Sequence, residues 1–236
     1  TAFSLAWAGR LLDRPVSVVM PENVSPAKLA LTRNIGAEVI LHGQTGSEAL
    51  AHCEQLVAGG DYYFLHPHKC PPFLAGSETI AREIVEDRPD TSRIYVPIGG
   101  GGLLSAICAA AESSSTEIEV LGVEAEQAPA FARSFQAGRP VAIAEMDTIA
   151  DALTINEPDG EVFDYVASRT SRIVTVSEEE IVNAMRSLFD EFRVIAEPGG
   201  AASLAAMVKS DDGKNAAAII SGGNVSLDEF LQITGS

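Results

Sequence analysis

The sequence predicts an α/β protein in which parallel β-sheets are covered by helices on both faces. Short segments rich in valine and isoleucine alternate with segments of helical periodicity. A helix between two parallel strands must cross back over the sheet, so this alternation favours parallel pairing. With 236 residues, of which 46% are hydrophobic and 21% charged, the chain can bury a substantial core. We therefore expect two open parallel-sheet domains.

The first predicted domain covers residues 1–65, and we expect it to be incomplete because a helical pattern begins directly after Thr1. Its predicted elements alternate between helix and strand: Ala2–Leu12, Val16–Met20, Pro26–Ile35, Glu38–Leu41 and Ser47–Ala58. The boundary is placed before the proline-rich segment His66–Pro72. The histidine and lysine side chains of that segment are interpreted as exposed loop residues.

The second predicted domain covers residues 66–236 and continues the alternation. Its helices are predicted at Ala75–Val85, Leu103–Glu112, Glu178–Glu191 and Gly199–Met207, and its strands at Arg93–Pro97, Glu117–Val123, Arg172–Val176 and Ala216–Ser221. Ser177 is the predicted N-cap of the third of these helices. Glycine and proline interrupt Ala125–Gly160, which we interpret as connecting structure near a functional site.

The composition argues against several functional classes. Sixteen basic and 33 acidic residues give a formal net charge of −17, which disfavours nucleic acid or an anionic membrane surface as a partner. The three cysteines, Cys53, Cys70 and Cys108, are far apart in the sequence and predict reduced thiols in a cytoplasmic protein. The uncharged stretch Ile94–Ala111 contains Pro97 and four consecutive glycines, so we do not expect it to span a membrane.

The most distinctive motif is the run of four glycines between a predicted strand and a predicted helix, within Val96–Leu103. Glycines let successive backbone N–H groups converge without a Cβ atom in the way, and the helix that follows adds the positive end of its dipole. A phosphate can bind there without a lysine. The motif has neither the ending of a Walker loop nor the GxGxxG spacing of a dinucleotide-binding fold. A tight structural turn is the alternative.

Two further motifs lie where they can join the glycine run. Ile219 and Ile220 lead into Ser221 and a glycine pair, and the carboxyl ends of parallel strands meet at one edge of a sheet. Glu197 precedes a proline and two glycines at the start of a predicted helix. Taken alone, Ser221 is also typical of a turn, and Glu197 of a carboxylate near a helix N-terminus.

Together the motifs resemble those of the fold type II pyridoxal-phosphate enzymes, which share the fold of the tryptophan synthase β subunit. Within that family the chain is most similar to the serine/threonine dehydratases. The matching segments follow the family order: Gly99–Leu103, Gly122–Glu124, Ile149–Asp151, Val176–Glu178, Glu197–Ala201 and Ser221–Asn224. The resemblance extends from Thr1 to about Asn224, and Ala184–Met207 looks closest to the threonine ammonia-lyases.

The resemblance implies pyridoxal 5'-phosphate as the cofactor and a small amino acid as the substrate. The implied cofactor-binding residues are Gly99, Gly100, Gly101, Gly102 and Leu103 at the phosphate, Ser221 with Gly222 at the pyridine nitrogen, and Glu197 close to the ring. A serine leaves the ring a weaker electron sink than an aspartate would. The implied reaction is β-elimination from threonine or serine, which yields a 2-oxo acid and ammonia.

The resemblance also implies a lysine that binds the cofactor covalently and moves the α-proton. The chain contains Lys28, Lys69, Lys209 and Lys214, and none of them lies in the family's lysine motif, which should precede Thr1. We therefore expect a chain that is truncated at its N-terminus, inactive as given, and without an identifiable catalytic residue. A non-catalytic protein that binds a phosphorylated ligand is the alternative.

Further expectations come from departures within the resemblance. Ala152 stands where dehydratases usually carry a glycine, so the cofactor pocket is expected to be narrower. Glu124 and Ala128 match a cation site of some members, but Ala130 does not, and no metal site is predicted. A homo-oligomer is expected. Serine racemase and hydroxyaspartate lyase, which share the fold, remain alternatives because the sequence lacks the segment that would separate them.

Overall fold

The computed structural model describes residues 2–24, 26–114, 116–210 and 215–235. Thr1 and Lys214, both considered above, lie outside the described residues. The chain divides into two compact units, Thr1–His66 and Pro67–Ser236. Each unit contains a β-sheet, and all the described strand pairs are parallel. The predicted α/β fold class is therefore confirmed.

The described residues of the first unit form a two-stranded parallel sheet and three helices. Its elements are α1 (Ala2–Leu11), β1 (Ser17–Met20), α2 (Pro26–Ile35), β2 (Glu38–Leu41) and α3 (Gly46–Ala58). The strands pair from Ser17 with Glu38 to Met20 with Leu41. Ala6, Val18 and Met20 are among the side chains that form the small core. Every element of this unit matches a predicted one, with bounds that differ by one residue at most.

The second unit has a four-stranded parallel sheet in the order β5-β4-β3-β6. Its strands are β3 (Arg93–Pro97), β4 (Glu119–Ala125), β5 (Ile173–Val176) and β6 (Ala216–Ala218). Its helices are α4 (Pro71–Asp87), α5 (Gly102–Glu112), α6 (Ala130–Ala137), α7 (Gly160–Ala167), α8 (Glu178–Phe192), α9 (Pro198–Ser210) and α10 (Leu227–Thr234), with a 3-10 turn at Asp151–Leu153. The central strands β3 and β4 are almost fully buried.

Helices cover both faces of this sheet, as the parallel pairing requires. Tyr95 packs with buried side chains of α8, α9 and α10. Ile94 and Val96, which flank Tyr95 in β3, pack instead with side chains of α4, α5 and α7. Successive residues of a strand point to opposite faces, so the two clusters lie on opposite sides of one sheet.

The structure corrects several predicted bounds in the second unit. Helix α4 begins at Pro71, not at Ala75, because the prolines occupy its first turn, where a missing N–H costs nothing. Strand β6 ends at Ala218 instead of Ser221, although the Ile219 N–H still donates to the Tyr95 carbonyl at 3.1 Å. The stretch Ala125–Gly160, predicted as connecting structure, contains helix α6.

Helices α7 and α10 were not predicted at all. Helix α7 follows the irregular stretch, and its N-cap Asp159 accepts hydrogen bonds from the backbone of Glu161 and Val162. Helix α10 begins after Ser226, whose side chain accepts from the Glu229 N–H. Among the described residues, no helix is long and apolar enough to cross a bilayer.

Candidate cofactor site

The four glycines form the turn between β3 and α5, at the carboxyl end of a central strand. Each glycine is closely packed, so that an added Cβ atom would meet a neighbour: Gly99 the Ala152 carbonyl oxygen at 2.8 Å, Gly100 the His68 ring, Gly101 the Val162 Cγ1 at 2.5 Å, and Gly102 the Pro67 carbonyl oxygen at 2.8 Å. Gly101 also has a φ of 87°, in the left-handed region. Only glycine fits at this turn.

The same turn is the N-terminus of α5. The Ser105 N–H donates to the Gly101 carbonyl at 2.9 Å, so the helix starts directly from the glycines. The first N–H groups of a helix have no acceptor within it, and its dipole is positive at that end. Leu103, in this first turn, is half-buried. The turn therefore fits a phosphate group, which backbone N–H groups can bind without a charged side chain.

The second glycine motif lies at the same end of the sheet. Strand β6 is the parallel neighbour of β3, with Tyr95 opposite Ala218. The chain leaves this register after Ile219 and continues into Ser221, which is exposed, and Gly222, which is half-buried. Ser221 and the tetraglycine turn thus follow adjacent strands at one edge.

Glu197 is brought to the second glycine motif by direct contacts. Its backbone N–H donates to the Gly222 carbonyl at 3.1 Å. A Cβ atom added to Gly222 would overlap Oε1 of the Glu197 carboxyl group, so this carboxyl group lies against the glycine. Gly200, in the first turn of α9, is packed equally tightly against the Gly222 backbone.

The 3-10 turn connects the two halves of the site. Gly99 packs against the backbone of Ala152 and Leu153, and Gly199 packs against the side chains of the same two residues. A Cβ atom added to Gly199 would lie 3.2 Å from the Ala152 Cβ. Glu178 fixes the segment before this turn, because its carboxylate accepts from the Thr148 hydroxyl at 2.6 Å. The structure therefore brings the three predicted motifs together, while the cofactor-binding role of each residue remains a prediction.

The segment before α4 contributes to the site in a way that the sequence analysis missed. His66, His68 and Lys69 were interpreted as exposed, whereas all three are half-buried. The His68 ring lies on Gly100, and Lys69 pairs with Asp159 at 2.8 Å and Glu161 at 2.9 Å. These hydrogen bonds, foremost that to Asp159, raise the pKa of Lys69. The sequence around Lys69, which precedes Pro71 and Pro72, does not indicate that this lysine forms ion pairs near the site.

Glu124, the residue matched to a cation site, has a different role in the structure. Its carboxyl oxygens accept the N–H groups of Phe131 and Ala132, each at 2.8 Å, so it caps the N-terminus of α6 from strand β4. The side chain is 0% exposed. Burial raises the pKa of Glu124 to about 7, against the opposing effect of the two N–H donors.

The buried carboxyl group of Glu124 predicts that the free energy of unfolding depends on pH. A folded-state pKa of about 7 lies above the ordinary value, so the stabilisation is complete below the unfolded-state pKa and is lost as pH rises through 7. We expect the free energy of unfolding of the wild type, relative to Glu124→Gln, to fall by about 3 kcal/mol between about pH 5 and pH 8. Urea unfolding of both proteins at several pH values measures this difference in the free energy of unfolding. A difference that does not change with pH would contradict the assignment.

Comparisons with known proteins decide the family. A model of the family described as pyridoxal-phosphate dependent enzyme matches residues 1–222. The chain belongs to this family. The glycine turn at the N-terminus of α5, where backbone N–H groups can bind a phosphate, fits the cofactor that gives the family its name.

Individual relatives align with most of the chain. An L-threonine ammonia-lyase of Thermotoga maritima is 36% identical over 234 residues, which are 98% of this chain and 58% of that protein. A catabolic L-threonine dehydratase of Escherichia coli K12 is 35% identical, with 92% and 68% covered. The structure of maize serine racemase superposes with a TM-score of 0.89 at 27% identity, covering 98% and 72%. The chain thus spans less than two thirds of the Thermotoga maritima relative.

Proposed function

We propose that the complete gene product is a pyridoxal-phosphate-dependent ammonia-lyase for L-threonine or L-serine. The observation that supports this most strongly is the position of the tetraglycine turn and Ser221 after adjacent parallel strands, β3 and β6. The similarity to an L-threonine ammonia-lyase and an L-threonine dehydratase supports the choice of substrate. The reaction removes the β-hydroxyl group as water, and hydrolysis of the resulting enamine gives a 2-oxo acid and ammonia.

The proposed roles within the chain divide between the two ends of the cofactor. The proposed phosphate-binding residues are Gly99, Gly100, Gly101, Gly102 and Leu103, and the residues proposed at the ring are Glu197, Ser221 and Gly222. When bound, the cofactor supplies the electron sink that stabilises negative charge at the substrate α-carbon. The Ser221 hydroxyl is proposed to donate a hydrogen bond to the pyridine nitrogen, and because it carries no charge it leaves that nitrogen unprotonated.

The organisation of the protein is part of the proposal. Residues 1–65 form part of a small α/β domain and residues 66–236 most of the cofactor-binding domain. We also propose a cytoplasmic location, which the three unpaired cysteines favour, and a homo-oligomer, which the family resemblance favours. The covalent cofactor lysine is proposed to lie outside these 236 residues, since none of their four lysines lies in the family's lysine motif.

The test measures 2-oxo acid and ammonia released from L-threonine and L-serine by the complete gene product with pyridoxal phosphate. We expect the two products in equal amounts. Ser221→Ala should lower kcat/KM about tenfold, because one hydrogen bond at the ring is lost. Ser226→Ala is the matched control, since Ser226 caps α10 and is not proposed to touch the cofactor. Cofactor binding without any product would support the non-catalytic alternative.

Racemisation of serine is the second candidate, favoured by the structural similarity to maize serine racemase. The same incubation distinguishes it, because a racemase forms D-serine while a lyase consumes L-serine. Chiral chromatography of the remaining serine gives the ratio. D-serine in excess of the 2-oxo acid would replace the lyase proposal by this one.

A further inference from the structure

The side chain of His68 is the polar group that packs most closely on the tetraglycine turn. A Cβ atom added to Gly100 would overlap its Nε2 and Cε1 atoms and lie 2.5 Å from Cδ2. Its Nδ1 is 3.1 Å from the corresponding position on Gly102. The imidazole therefore spans two of the four glycines, at the N-terminus of α5.

The chain on both sides of His68 is fixed. The Pro67 carbonyl oxygen packs against Gly102, and Cys70 is the buried N-cap of α4. Lys69 forms its two ion pairs with Asp159 and Glu161 at the N-terminus of α7. The following residue of that helix, Val162, packs on Gly101. The loop and α7 thus contact the turn from two sides.

The chemistry of the site favours a side-chain donor at this position. Backbone N–H groups bind phosphate but bring no charge, and the protein carries a formal net charge of −17. Three acidic side chains near the loop are paired with cations: Asp159 and Glu161 with Lys69, and Glu78 with Arg82. An imidazole has at least one N–H donor in each of its protonation states, and a second when it is charged. A charge-assisted hydrogen bond to an anion is among the strongest in proteins.

We propose that His68 donates a hydrogen bond to the phosphate group held by the tetraglycine turn, as a side-chain addition to the backbone donors. This inference rests on the proposed cofactor role of the turn. It assigns His68 to cofactor affinity and not to the elimination of the β-hydroxyl group.

The test measures the dissociation constant for pyridoxal 5'-phosphate in the complete gene product by equilibrium dialysis. His68→Phe keeps a ring against Gly100 but removes the donor, and we expect the dissociation constant to rise about tenfold, which corresponds to about 1.4 kcal/mol. His68→Gln restores an N–H donor and should recover most of the affinity. His52→Phe is the matched control, because His52 stacks on His42 in the first unit and should bind as the wild type does.

Pyridoxal, which lacks the phosphate, separates a phosphate contact from a change in fold. His68→Phe should bind pyridoxal as the wild type does, if the lost contact is to the phosphate alone. Equal or tighter binding of pyridoxal 5'-phosphate by His68→Phe would overturn the inference while leaving the proposed function intact. Equal weakening for both ligands would also overturn it. Failure of the wild type to bind pyridoxal 5'-phosphate would overturn both.

Discussion

Replacing Gly101 by valine is expected to raise the dissociation constant for pyridoxal 5'-phosphate at least about 100-fold. Gly101 has a φ of 87°, where an L-residue costs about 1–2 kcal/mol. Its Cβ would lie 2.5 Å from Val162 Cγ1 and 3.1 Å from Phe131 Cζ, both in the packed interior. The turn must shift to relieve this overlap, and the backbone donors shift with it. Equilibrium dialysis of the complete gene product measures the loss.

Gly138→Val is the matched control for this substitution. Gly138 also has a positive φ, 66°, but an added Cβ would meet nothing within 4 Å. It ends helix α6, so its replacement should cost stability through backbone strain alone. We expect this variant to melt at a lower temperature and to keep the wild-type cofactor affinity. Equal loss of affinity in both variants would show that strain, and not displacement of the glycine turn, is responsible.

Replacing Arg93 by alanine is expected to destabilise the second unit by about 3–5 kcal/mol. Arg93 is 3% exposed and joins β3 to β4 through Glu119, with Nε and Nη2 at 2.9 and 2.5 Å from one carboxylate oxygen. Its Nη1 also donates to the Tyr95 hydroxyl at 3.2 Å. The substitution removes the guanidinium from Glu119 and from the Tyr95 hydroxyl, and Glu119 then lies partly buried without that charge. Urea unfolding followed by circular dichroism gives the change.

Arg88→Ala is the control for the buried ion pair. Arg88 pairs with Asp90 at 3.2 Å on the surface, where solvent screens the interaction. We expect Arg88→Ala to unfold at the same urea concentration as the wild type. If both arginine variants unfolded at the same urea concentration, the account of the β3–β4 ion pair would be wrong.

The alternation of strands and helices was predictable because hydrophobic periodicity is a local signal. Helix α10 could also have been predicted, since Ser226 and Glu229 have the spacing of a capping box. For α7 the signal was Asp159, a residue type that is preferred at the N-cap. Helix α6 could not have been predicted, because its eight residues begin after Pro129, which provides no side-chain cap. The group that satisfies its first N–H groups is Glu124, which belongs to a strand.

The candidate site was also predictable only in part from the sequence. The convergence of the glycine motifs could be predicted, because the carboxyl ends of parallel strands always meet at one edge. The contact between His68 and Gly100 could not, since nothing in the residues near His68 indicates which turn it packs on. Ala152 was expected to narrow the cofactor pocket, which stays a prediction; in the structure it packs between Gly99 and Gly199.

A crystal structure of the complete gene product grown with pyridoxal 5'-phosphate tests the central claim most directly. We expect the phosphate oxygens within about 3 Å of the backbone nitrogens of Gly99–Gly102, and the pyridine nitrogen at a similar distance from Ser221 Oγ. Density for the cofactor that reaches only one of these two groups, or neither, would contradict the account.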